Sequence, residues 1–226
     1  MGKIIFVTGT DTGVGKTLLT ALLLFHLRSQ GKKALAMKPF CSGGRGDAEL
    51  LHSLEAEDIG LEELNPFHFK RPIAPYLAAT KKELERITLE GVAHHILTVS
   101  ERCDYLLVEG AGGLFVPLGE NWFVKDLIEV LDCEVILVSR NRLGTINHTL
   151  LSAKTLEKLR LKRGVKVVLM GQKKPDFSAA TNGKYLREAL AGTPVVSVGF
   201  QGAGASRVKA IKATGKKLKI VLAPLV

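Results

Sequence analysis

Gly9-Thr-Asp-Thr-Gly-Val-Gly-Lys-Thr17 is the stretch that decides how this chain folds. The apolar run Ile4-Ile5-Phe6-Val7 before it reads as a strand. Thr17–Gln30 after it has helical periodicity, with Leu18, Ala21, Leu22, Phe25 and Leu27 forming a broad apolar face that ends at Gly31, a C-terminal cap. A glycine-rich turn between strand and helix aims backbone N–H groups inward, and the helix start adds partial positive charge, so a polyphosphate suits it. Gly13, Val14 and Gly15 then lend backbone, Lys16 neutralises the β- and γ-phosphates, and the Thr17 hydroxyl ligates Mg²⁺. The spacing departs from the generic phosphate loop, since five residues rather than four separate Gly9 from Gly15. The competing reading is a plain connecting turn; the Gly-Lys-Thr ending and a later acidic strand end weigh against it.

Outward from the loop, short apolar runs recur at Ala34–Met37, Tyr105–Val108, Val135–Val138, Val165–Met170 and Val195–Val198, each bounded by Gly, Lys, Asp or Ser. Runs apolar on both faces suit buried parallel strands. Further helices are expected from Thr88, a candidate N-cap, to about Arg102, and over Ile146–Leu159. Alternating strands and helices predict an α/β fold of the P-loop type, a mostly parallel sheet flanked by helices on both faces. With no repeat and no low-complexity linker, residues 1–226 are expected to form one domain. Phe200–Val226 is the least legible part: Gln201–Ser206 reads as a flexible loop, and the last apolar residues as strand or irregular chain.

Composition narrows the function. Hydrophobic residues make up 46% and charged residues 24% of the 226, which excludes a disordered chain. No apolar run approaches the ~20 residues of a membrane helix, and no signal peptide can be read at the start. Cys41, Cys103 and Cys133 are odd in number and far apart, which points to a reducing cytoplasm rather than a disulfide framework or metal cluster. The formal charge of +10 comes from lysine pairs such as Lys32-Lys33 and Lys173-Lys174, scattered and without interleaved aromatics. That pattern reads as a solvated surface that attracts anionic nucleotides, not as a nucleic-acid platform.

Acidic and basic partners follow from the same topology. Leu106-Leu-Val-Glu-Gly-Ala-Gly-Gly113 is a buried strand running into a carboxylate, at the sheet edge where ligands bind in open α/β folds. Glu109 is therefore a candidate Mg²⁺ ligand. Asp47 is either a second ligand or a helix N-cap; one or two carboxylates beside phosphates and waters suit Mg²⁺. Lys38 closes the second strand and could stabilise charge on a transferred phosphate, with Ser42 adding a hydrogen bond; the alternative is a solvated strand-end lysine. Gly110, Gly112 and Gly171, each just past a strand, complete the candidate nucleotide contacts. Gly144 and Thr145 open a helix whose free N–H groups could hold a substrate carboxylate, with Asn147 as a further donor. His148 reads as a packed helix residue with no catalytic role.

The segments Val7–Thr17, Lys38-Pro39…Ser42-Gly43, Val108-Glu-Gly-Ala-Gly-Gly113 and Leu143-Gly-Thr-Ile-Asn-His148 resemble the dethiobiotin synthetase family in order and spacing, over most of residues 3–150. The long phosphate loop is that family's own form, and Asn65-Pro66-Phe67 with Pro72 and Pro75 resembles its insertion between the second and third strands. The resemblance implies a homodimeric enzyme that closes the ureido ring of dethiobiotin from 7,8-diaminopelargonic acid, CO₂ and ATP with Mg²⁺. It places Thr12 and Lys16 at carbamate and phosphates, Lys38 and Ser42 at the transferred group, and Thr17, Asp47 and Glu109 at the metal. It further implies that the distant substrate carboxylate meets the Gly144–Asn147 helix start and Tyr185, the dimer partner completing the site. Neither nucleic acid nor membrane is an expected partner.

Two departures stand out. The family commonly has an acidic residue where Gly13 stands. The strand Val165–Met170 should run into an asparagine that reads adenine, but continues Gly171-Gln172, and Val198-Gly-Phe200 lacks the proline that usually follows. A missing amide removes discrimination between bases, so CTP and other triphosphates are expected to be admitted beside ATP. The rival from another class is a partitioning-type P-loop ATPase switch that binds DNA or a protein. Such switches carry a lysine early in the loop where this chain has Asp11.

Overall fold

The computed structural model describes residues 1–226 apart from 56, 57, 160 and 203. Six strands form one parallel sheet: β1 (Lys3–Gly9), β2 (Ala34–Met37), β3 (Tyr105–Gly113), β4 (Glu134–Arg140), β5 (Val165–Met170) and β6 (Val195–Val198). Their order is β6-β5-β4-β1-β3-β2, with every neighbouring pair parallel. The apolar runs fall where the sequence puts them because helices cover both faces; Ile5, Val7, Leu107 and Val135 are wholly buried. The seven longer helices are α1 (Lys16–Ser29), α2 (Gly46–His52), α3 (Leu89–Ser100), α4 (Val124–Leu131), α5 (Thr145–Lys158), α6 (Asn182–Ala189) and α7 (Val208–Lys217).

Local chemistry sets the boundaries. Thr88 caps α3 by accepting the Gly91 N–H at 3.0 Å. After α1 the Gly31 N–H returns to the Arg28 carbonyl, closing the helix where the glycine is found. At the sheet edge, Glu55 accepts the Ala36 N–H of β2 at 2.8 Å, which removes a donor that could otherwise pair with another chain.

The C-terminal expectation is corrected. Val208–Lys217 and Lys219–Leu222 are helical and Ala223–Leu225 forms a 3₁₀ turn, rather than strand or irregular chain. Of the glycine-rich segment read as a loop, residue 203 lies outside the described residues, and the described remainder is non-helical up to α7. A side chain at Gly215 would come within 2.4 Å of the Phe25 ring, so α7 packs on α1 through that gap. Ile211, Leu222 and Leu225 complete this packing as buried residues.

Two small sheets sit over the ligand edge. Phe40–Ser42 pairs with Phe67–Phe69, and Pro117–Gly119 with Trp122–Phe123. Phe40 joins them, stacking on Phe67 at 4.9 Å and edge-on to Trp122 at 6.1 Å. Cys41 and Ser42 are thereby fixed above the end of β2.

Candidate functional site

Strand register assembles the site. Met37 pairs with Val108 and Val7 with Glu109, so Lys38, Glu109 and the start of the glycine-rich loop emerge side by side at the C-terminal edge of the sheet. Lys38 Nζ donates to Glu109 Oε1 at 2.5 Å and lies 2.9 Å from Asp47 Oδ2. Thr17 Oγ1 donates to the same Glu109 oxygen at 2.7 Å. The sequence left Lys38 open between a solvated and a site lysine; it is 6% exposed and locked between two carboxylates. Asp47 lies in the first turn of α2 rather than at its N-cap, a position held by Arg45, because its carboxylate points to Lys38.

The two lysines are tuned in opposite directions. Burial pulls the Lys38 ammonium down, but Glu109 and then Asp47 outweigh it and leave the group well above the usual lysine range. Burial likewise opposes ionisation of Asp47, and Lys38 overcomes this to hold the carboxyl below its usual range. Lys16 is also buried, and its ammonium donates to the Asp11 carbonyl oxygen at 2.9 Å. Here burial wins over the attraction of Glu109, and the group is lowered to about 8. Cys41 is a bystander thiol, pushed up to about 11 by burial.

Above this cluster lies a cavity of about 400 Å³ lined by Thr12, Lys38, Ser42, Asp47 and Gly112, with Phe40, Ile73 and Val116 as apolar wall. Ser42 Oγ and Glu109 Oε2 are buried side-chain oxygens without a hydrogen-bond partner among the described residues. Such orphaned acceptors are costly unless a ligand completes them. Gly110 packs against Phe6, while Gly171, beyond β5, touches the Gly199–Phe200 backbone. Met170, one residue before Gly171, in turn packs beside Gly15 of the loop.

The other expected residues stand apart. Gly144 caps α5 in a left-handed conformation, and the buried Thr145 hydroxyl bonds Ser139 Oγ at 2.6 Å, itself 3.2 Å from Thr10 Oγ1. Asn147 and Tyr185 are exposed and do not line the Lys38 cavity. His148 is exposed as well, contrary to the packed position expected of it. A second, shallower cavity of about 490 Å³ runs from Thr10–Thr12 past Phe115 to Leu151 and Thr155 on α5, so Thr12 borders both.

An AAA domain family model matches residues 3–217. The ATP-dependent dethiobiotin synthetase BioD of Bacillus licheniformis is 40% identical over 199 residues, covering 85% of this chain and 83% of that protein. Its counterpart in Methanocaldococcus jannaschii is 41% identical over 162 residues, covering 70% and 74%. The chain belongs to the dethiobiotin synthetase family. It is thereby a P-loop ligase forming C–N bonds. The fold is shared more widely: the Pyrococcus furiosus cell division ATPase MinD aligns with a TM-score of 0.63 at 19% identity, over 99% of this chain and 98% of that one. A ParA family ATPase from Chlorobium tepidum aligns at 0.61 and 16%, over 100% and 98%. At such identities the likeness shows the fold alone, and the partitioning-type alternative draws nothing further from it.

Within this synthetase, sequence reasoning missed two supports. Asn65 is fully buried and donates from Nδ2 to the Lys38 and Pro39 carbonyl oxygens at 2.7 and 3.3 Å, holding the backbone that carries Lys38. Its only signal was its place in the Asn65-Pro66-Phe67 turn. Arg140, ending β4, donates from Nε and Nη2 to the Gly13 carbonyl oxygen at 3.0 and 2.7 Å, a contact that no local motif announces. Gln172, where the family resemblance expects a base-reading asparagine, donates from Nε2 to the carbonyl oxygen of Met170, the last residue of β5, at 3.1 Å.

Proposed function

We propose that this synthetase carries out the reaction of its family: Mg²⁺- and ATP-dependent capture of CO₂ by 7,8-diaminopelargonic acid and closure of the ureido ring. The observation that carries the reading is the Lys38–Glu109–Thr17–Asp47 cluster, set between the glycine-rich loop and a cavity that presents Thr12 and Ser42. One substrate amine adds to CO₂ and loses a proton, giving a carbamate. A carbamate oxygen attacks the γ-phosphorus as the bond to the ADP oxygen breaks. The second amine attacks the carbonyl carbon of the mixed anhydride; the C–O bond breaks, phosphate leaves and the ring closes.

The chain's own contribution is position and charge. Thr12 and Lys16 hold carbamate and phosphates. Lys38, kept as an ammonium by its carboxylates, neutralises the transferred phosphoryl group, and Ser42 Oγ donates to it. Backbone of Gly13, Val14, Gly15, Gly110, Gly112 and Gly171 surrounds the nucleotide. Mg²⁺ would be held by Thr17 Oγ1, the unpartnered Oε2 of Glu109 and Asp47, and would offset charge on the β- and γ-phosphates. Among the described residues no third His, Cys, Asp or Glu joins the two carboxylates. Such a sparse set suits Mg²⁺, which keeps waters and phosphate oxygens as its remaining ligands.

The substrate carboxylate is assigned to the α5 start, Gly144, Thr145 and Asn147, and to Tyr185, with a second copy contributing part of this site. Support comes from the exposure of Gly144, Asn147 and Tyr185 outside the Lys38 cavity and from Leu143, Leu151 and Phe177, large apolar side chains exposed on or beside the same elements. The functional unit is then a homodimer of single-domain chains, each with residues 1–226 around one sheet. A cytoplasmic setting fits the three free, buried cysteines. Phosphate release is expected only when the diamine acid, bicarbonate, Mg²⁺ and a nucleoside triphosphate are all present. Release indifferent to the diamine would overturn the reaction, and full activity from a chain that sediments as a monomer would overturn the shared site.

A further inference from the structure

The carbonyl oxygen of Gly13 receives two guanidinium N–H groups of Arg140, at 3.0 and 2.7 Å. A peptide group is planar, and in a trans peptide its C=O and the following N–H point in opposite directions. Holding the Gly13 oxygen toward β4 therefore turns the Val14 N–H the other way, toward the inside of the loop. The match is steric too. Gly13 has a positive φ of 67°, and a Cβ there would lie 2.7 Å from Arg140 Nη2, so the guanidinium occupies the space that a side chain at position 13 would need.

Arg140 is the last of three successive residues that brace the loop from one flank. The Val138 carbonyl accepts the Thr10 N–H at 2.9 Å, and Ser139 Oγ lies 3.2 Å from Thr10 Oγ1. Thr10 lies at the loop's entry, whereas Gly13 lies in its middle, where Gly13 and Gly15 both take left-handed backbone and the chain has most freedom to lose. Among the described residues no carboxylate pairs with Arg140, so its positive charge adds to the field at the loop.

We propose that Arg140 is a positioning residue for the triphosphate: it sets the Gly13–Val14 peptide so that the Val14 N–H enters the phosphate cradle before the nucleotide arrives. This rests on the reading above that the loop holds a triphosphate. Its effect belongs to nucleotide binding rather than to the diamine.

The test titrates the full-length protein with Mg·ATP in a calorimeter, for wild type, Arg140→Ala, Arg140→Lys and Lys16→Ala. Arg140→Ala is expected to weaken ATP binding roughly ten- to a hundredfold, the range for hydrogen bonds from a charged donor. The KM for the diamine acid and the thermal midpoint without nucleotide should move little. Arg140→Lys keeps the charge but loses the two-point fork, and should recover only part of the loss. Millimolar guanidinium ion should restore affinity to Arg140→Ala and not to Lys16→Ala. Unchanged ATP affinity in Arg140→Ala overturns the proposal. So does a loss that guanidinium leaves untouched while both Arg140 variants melt early, the mark of a purely structural contact. Wild type that fails to bind ATP overturns instead the reading of the loop on which the proposal rests.

Discussion

The inner and outer halves of the candidate site are built differently. In the inner half, Thr17, Lys38, Asp47 and Glu109 are tied to one another at the C-terminal edge of the sheet by contacts of 2.5 to 2.9 Å, and Lys16 is held beside them by the Asp11 carbonyl oxygen at 2.9 Å. In the outer half, Asn147, Tyr185 and Gln172 lie on helix surfaces and a loop, and no shared cavity of the described chain joins Asn147 or Tyr185 to Lys38. The inner half is preorganised by the sheet, and in the proposed reaction it handles the phosphate charge common to P-loop enzymes. The outer half, in the same proposal, handles what distinguishes one substrate from another and is completed by a ligand or a second copy.

The contrast breaks most visibly at Lys16. Lys16→Ala removes the charge that meets the β- and γ-phosphates, and kcat/KM is expected to fall about a thousandfold, the upper range for losing one preorganised charge-stabilising group. Steady-state phosphate release measures it. A loss under tenfold would mean that the inner half is not where the phosphates lie.

A pH experiment sharpens the contrast within the inner half. Lys16 has a folded pKa of about 8 against 10.5 for the ordinary group. Between those values the unfolded chain holds a proton that the folded chain has lost. The folded protein therefore gains stability as pH rises through this window, by about 3 kcal/mol for the nucleotide-free chain. ATP binding has the opposite dependence, because phosphates require the charged form. Affinity should fall as pH rises above about 8, by up to tenfold per unit, with close to one proton taken up per ATP near pH 9. Calorimetry in two buffers of unlike ionisation heat reads that proton. Lys38, shifted the other way by Glu109 and Asp47, contributes nothing in this window.

The same division explains what was legible in the sequence. The sheet strands were visible as apolar runs, most sharply where both faces are buried, as in β2, and less so at the β6 edge, where Ser197 is exposed; the inner-half residues follow from standing next to those runs. The loop's longer spacing did not hide it, since strand, glycines, lysine and helix remained in order. Arg140 was invisible because its partner lies 127 positions away and is a backbone atom. The α7 helix was missed for a different reason. Ile211 and Gly215 are its buried positions, four residues apart, but the packing position at Gly215 has no side chain and the surrounding lysines obscure the face. His148 was misplaced because periodicity alone did not settle which face of α5 is covered.

The smallest expected effect lies at the outer half, in recognition of the base. A site that discriminates strongly among bases needs hydrogen-bonding groups held free to face the ring, because discrimination comes from leaving such a group unpaired with the wrong partner. Gln172 is the nearest amide, and one of its two N–H groups is taken by the Met170 carbonyl oxygen. That bond draws the amide back to the strand end instead of leaving it free to face a base. Gln172→Ala should therefore change kcat/KM for ATP by less than about threefold, under half of a single hydrogen bond at the strong end of the usual range. ATP, CTP, GTP and UTP should then turn over with constants of the same order in the wild type. Measuring the four triphosphates side by side decides it. A preference for ATP of a hundredfold or more would show that the base is read by groups other than Gln172, and that the outer half is as preorganised as the inner one.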